Sequence, residues 1–126
     1  MPRSAAFRVC LAGAMLAWET TATIIGAGAA ELTFDLHIER GRVAENMSII
    51  RVKQGDVVRL RWSTDRSIIL HLHGYDIERK VEPSAIGVME FTAHVTGRFP
   101  VEVHGSPEAG GHSHGEAPLV RIDVYP

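Results

Sequence analysis

Five of the seven histidines fall in two short stretches. "LHLHGYD" (70–76) carries His71 and His73, and "HGSPEAGGHSHGE" (104–116) carries His104, His112 and His114. Neutral imidazole is a good ligand for copper, zinc and nickel. One histidine says little; several that converge make a metal site. His71 and His73 are two apart in an extended segment, so they share a face, about 6.5–7 Å apart along the chain. That spacing suits two ligands of one ion if the chain bends at Gly74. His112 and His114 form H-x-H among glycines, which makes convergence sterically easy. Ordering such a loop costs about 1–2 kcal/mol per residue, which a metal bond can offset. Glu116 adds a candidate oxygen ligand. His104 follows "RFPVEV", where strict alternation puts Glu102 and His104 opposite Phe99, Val101 and Val103. Gly105 can release that parity and let His104 turn into the site. The competing reading is plainer: strand histidines that face water, and a polar loop.

Other chemistry finds little support. His37 and His94 are isolated and read as surface residues. Met89 is in phase with Phe91 and reads as core packing. Ser113 lies between two histidines, but nothing marks it as an activated nucleophile. No glycine-rich loop follows a strand and opens a helix to cradle phosphate. The carboxylates are scattered, with no acid/base pair. These residues point to binding rather than catalysis.

The first 29 residues have the layout of a secretory signal peptide. Arg3 and Arg8 form a basic start, "VCLAGAMLAW" (9–18) is an apolar run, and "AGAA" (27–30) offers cleavage after Ala29 or after Ala30. The run is shorter than the roughly 20 apolar residues that span a bilayer; the alternative is an uncleaved N-terminal anchor. Cleavage after Ala29 leaves residues 30–126 as one domain with one core, 97 of the 126 residues. Of 13 basic and 15 acidic residues, it removes two and one, which leaves a net charge of −3. No basic stripe remains, so neither nucleic acid nor an anionic membrane is an expected partner. Cleavage also removes Cys10, the one cysteine. Residues 30–126 then have no disulfide, no thiolate ligand and no thiol nucleophile, nor does Ala30 or Glu31 at the new N-terminus permit a histidine brace. The expected location is periplasmic or secreted.

The elements that must hold the histidines are strands. Period-2 patterning runs through the rest of the chain. "LTFDLHIER" (32–40), "SIIRV" (48–52), "VVRLRWS" (57–63), "SIILHLH" (67–73), "DIERKV" (76–81), "GVMEFTAH" (87–94), "RFPVEV" (98–103) and "LVRIDVY" (119–125) are separated by Gly, Pro, Asp and Ser turns. "KQGD" (53–56) is one such turn, with Gly55 free to take positive φ. "AENM" (44–47) could form one helical turn. About seven to eight short antiparallel strands predict an all-β, Greek-key β-sandwich, ahead of a small barrel or a jelly roll. Residues 105–118 make a long connection between the last two strands, a length more often functional or mobile.

"VKQGDVVRLRW", "LHLHGYDIERKVEP", "FTAHVTGRFPVEVHG" and a His-rich loop before "VRIDVYP" follow one another in an order that resembles bacterial cupredoxin-like domains, over about residues 32–125. The resemblance implies a two-sheet sandwich with copper at one end. It puts a first ligand at His73 and a second loop histidine at His112 or His114. It puts Val103 where typical members have cysteine, with His104 next to it; no methionine follows in the loop. A blue-copper site needs a thiolate with two histidines, so that electron-transfer role does not carry over. The expected function is therefore copper capture or delivery through a histidine-rich, non-blue site, with zinc as the other candidate metal. The expected ligands are His73, His104, His112, His114 and His71. In that reading the loop closes over the ion, and histidine protonation near pH 6 weakens the hold. Two alternatives stand beside it: a metal-free sandwich that serves as a structural module or binds a periplasmic protein partner, and a non-blue copper enzyme.

Overall fold

The computed structural model describes residues 28–104 and 117–126. Eight strands follow in order: β1 (Glu31–Ile38), β2 (Ile49–Lys53), β3 (Val57–Thr64), β4 (Ile68–Leu72), β5 (Ile77–Val81), β6 (Gly87–Thr92), β7 (Gly97–His104) and β8 (Val120–Tyr125). A 3-10 turn, Glu45–Met47, precedes β2. The strands form two sheets, β1-β3-β6 and β2-β8-β7-β4-β5. The fold is the expected all-β sandwich, with one difference. β1 runs parallel to β3 and β2 runs parallel to β8, while the remaining pairs are antiparallel. Period-2 patterning reports which face is buried and is silent about strand direction, so the sequence does not distinguish these pairings.

The core lies between the two sheets and takes alternate residues from both. Val58, Leu60 and Trp62 of β3 face Leu70 and Leu72 of β4, Val101 of β7, and Val120 and Ile122 of β8, all in one buried cluster. The intervening residues of β3 face outward. There Arg59 sits opposite Glu90, and Arg61 opposite Asp35, in direct cross-strand register. Both positions form ion pairs, at 2.5 and 2.8 Å. All four side chains are largely exposed, so the pairs contribute little stability and mainly favour this register.

One buried carboxylate joins three parts of the chain. Asp56 accepts the Lys53 N–H on Oδ2 at 2.9 Å, closing the β2–β3 turn, and the Ala30 N–H on Oδ1 at 3.1 Å. Its own carbonyl accepts the Ala93 N–H at 2.8 Å. Gly55 completes the turn with φ 95. Asp56→Ala removes two charge-assisted bonds and leaves two part-buried backbone donors unmatched. The expected loss is about 2–3 kcal/mol of unfolding free energy, read by chemical denaturation.

Candidate metal centre

The site is built on the pairing of β4 with β7. In β4, Ile68, Leu70 and Leu72 are buried, while Ile69 and His71 take the outer face. The antiparallel register sets Ile69 opposite His104, Leu70 opposite Val103, His71 opposite Glu102 and Leu72 opposite Val101. His71, Glu102 and His104 therefore share the outer face of the five-stranded sheet. His104 reaches the site with its strand parity intact. The release of parity that Gly105 could allow is not needed for this, because His71 already shares the outward face. By the same register Val103 belongs to the opposite, core-facing side, so the residue standing for the missing cysteine does not share a face with His104.

His73 lies one residue beyond β4. Its N–H donates to the Pro100 carbonyl at 3.0 Å, which continues the ladder by one bond. Because the Pro100 carbonyl points toward β4, a backbone N–H at this position would point there too, and proline has none. The ladder ends here and the chain turns. Gly74 makes that turn at φ 88. A Cβ at Gly74 would collide with the Phe99 ring, 2.8 Å from Cε1 and nearer still to Cδ1. Tyr75 anchors the turn from below. Its ring packs on Phe91 and Phe99 at centroid distances of 4.6 and 4.8 Å, and its hydroxyl donates to the Val95 carbonyl at 3.2 Å.

Three imidazoles converge as a result. Ring centroids stand 4.2 Å apart for His71 and His73, 4.8 Å for His71 and His104, and 5.6 Å for His73 and His104. One ligand nitrogen from each lies within 4.8 Å of the others. Two nitrogens bound to one ion at about 2.0–2.1 Å each can stand no more than about 4.2 Å apart. Three nitrogens around one ion stand closer, about 3.4–3.6 Å apart in a tetrahedral or trigonal set, so binding draws the rings together by up to about 1.2–1.4 Å through side-chain rotation. His71 is less exposed than His73, with 18% of its side chain accessible against 39%. Its Nδ1 is buried and has no hydrogen-bond partner among the described residues. A buried acceptor of that kind is costly unless something else binds it, and a metal ion satisfies it. The donor set fits a borderline ion such as Cu(II) or Zn(II).

Carboxylates back the rings. Asp76 Oδ1 is 3.2 Å from His71 Nε2, and Glu102 Oε2 is 2.9 Å from His73 Nε2. Glu78 of β5 lies opposite His71 on its other side. Of these three, only Glu102 stands out in the sequence, by an outward parity shared with His104; that it also lies beside His71 follows from the β4–β7 register. His37 and His94 lie apart, as expected. His37 Nδ1 contacts Ser63 Oγ at 2.9 Å, and His94 Nδ1 contacts the Thr92 carbonyl at 3.0 Å. His112, His114 and Glu116 lie outside the described residues, as does the expected signal segment up to residue 27.

No known family profile matches the chain, and no curated protein matches it. Solved structures do. A copper binding protein in its apo form aligns over 75% of this chain and 88% of its own, with a TM-score of 0.57 at 10% identity. A multicopper oxidase aligns over 77% of this chain and 39% of its own, with a TM-score of 0.57 at 20% identity. A chain of a heme-copper terminal oxidase aligns over 79% of this chain and 67% of its own, with a TM-score of 0.53 at 19% identity. The fold is cupredoxin-like. At these identities the likeness concerns the arrangement of strands, and the histidines must be judged on their own geometry.

Within this cupredoxin-like domain, the 73–76 turn carries both a ligand candidate and the most restrictive glycine. Gly74→Ala imposes positive φ on a side-chain-bearing residue and drives its Cβ into Phe99. Thermal and chemical denaturation should show a loss of about 1–3 kcal/mol from the backbone alone, and more from the clash.

Proposed function

We propose that the chain is a secreted or periplasmic cupredoxin-like protein that captures or delivers copper through an all-nitrogen site. The single observation that carries this reading is the convergence of His71, His73 and His104 on one face. The likeness to a copper binding protein supports it at the level of fold. The ion would be held by the three imidazoles, with His112 and His114 as further candidates from the connection that follows His104. Bound there, copper supplies an exchangeable, nitrogen-ligated cation. The residues themselves orient the rings on the face away from the core. The one cysteine, Cys10, precedes all the strands, so the reading includes no thiolate. Among the described residues, no helix is long and apolar enough to cross a membrane.

The test is a copper titration of residues 30–126 beside His73→Ala and His104→Ala. The expected result is one copper per chain without an intense thiolate-to-copper band. Free copper at 100 times the dissociation constant should raise wild-type stability by about 2.7 kcal/mol. Each variant should lose more than the roughly 10–100-fold in affinity that an outer-shell change costs. Equal binding by all three proteins would remove His73 and His104 from the site. A melting temperature unmoved by copper, zinc and nickel would favour the metal-free, protein-binding alternative.

A further inference from the structure

We propose that Asp76 and Glu102 are positioning residues that hold His71 and His73 in the Nε2–H tautomer and so present their Nδ1 atoms to the metal. The proposal rests on the copper reading above and goes beyond it, because it assigns a role to two residues that are not ligands. An ionised carboxylate only accepts hydrogen bonds. For Asp76 to bond His71 at 3.2 Å and Glu102 to bond His73 at 2.9 Å, each Nε2 must carry the proton. A neutral imidazole protonated at Nε2 has its lone pair at Nδ1. In His71 that atom is the buried one without a partner. A carboxylate behind a ligating histidine fixes its tautomer and ring orientation and raises its basicity.

Two independent features place these carboxylates. Glu102 is set by register, opposite His71 and one position along the outer face from His104. Asp76 is set by backbone conformation, with φ 54, a region that side-chain-bearing residues seldom occupy and that Asp and Asn tolerate best. That conformation brings a carboxylate from the far end of the turn back onto a ring five residues earlier. Asp76 is almost fully exposed, whereas Glu102 is half-buried. Water competes less at Glu102, so its removal has the larger effect.

The test reads the tautomers directly in the metal-free protein, by long-range proton–nitrogen correlation within the histidine rings, and copper affinity separately by competition. Wild type should show Nε2–H at both His71 and His73. Glu102→Ala should leave His73 a mixture of tautomers, and Glu102→Gln, whose amide oxygen still accepts, should restore Nε2–H. Asp76→Gly keeps the backbone unstrained while removing the acceptor, and should release His71; Asp76→Asn should hold it. Copper affinity should fall roughly 10–100-fold in Glu102→Ala and Asp76→Gly and change far less in the two amide variants. Nδ1–H or doubly protonated rings in wild type would overturn the proposal. If wild type binds no copper, the copper reading falls and this role with it. If wild type binds copper and Glu102→Ala and Asp76→Gly bind as tightly, only the positioning role falls.

Discussion

The antiparallel register of β4 against β7 is the constraint on which both the core and the site depend. It sets Leu72 opposite Val101 on the inside and His71 opposite Glu102 on the outside. The side-chain period of a strand is two, so a slip of one residue would exchange these faces. Leucines would then meet water, and two histidines and a glutamate would enter a core that provides them no partners. The burial of Leu70, Leu72 and Val101 thus fixes where the imidazoles stand. Hydrophobic packing here acts as the alignment device for a polar constellation that makes no contribution to it.

The end of that ladder is controlled by a second set of residues. Pro100 withholds a backbone donor where β4 must stop, and Gly74 turns the chain against the face of Phe99. Tyr75, between Phe91 and Phe99, ties the turn to the core. His73 and Asp76 occupy the two ends of this four-residue turn. Rigid aromatic packing beneath it therefore sets two polar groups above it, a ligand candidate of the site and a carboxylate at the site's edge.

Much of this was legible in the sequence. All eight strands follow from alternation and turn residues, because a half-buried strand writes its period directly into the chain. The 3-10 turn at Glu45–Met47 was also visible. His71 and His73 share a face for the same reason. Strand direction was not legible, since parallel and antiparallel partners bury the same alternate residues. His104 shows the subtler limit. Its outward parity is legible, but the face on which His71 and His73 stand relative to it is not. Deciding between the two faces requires knowing that β7 lies beside β4, although 24 residues of intervening chain (73–96) separate them. The same missing neighbour hides what Glu102 stands beside. Asp76 was hidden by a backbone conformation that the residue type permits without announcing.

Because the imidazoles lie outside the packed layer, folding and coordination draw on separate residues. Ile68, Leu70, Leu72 and Val101 make the sandwich; His71, His73 and His104 decorate its wall. A chain arranged in this way can exchange one set of donors for another, or abandon them, while the sandwich stays intact. The scaffold is thus a stable wall on which ligands can be rewritten, and ligand chemistry can drift between related chains much faster than architecture.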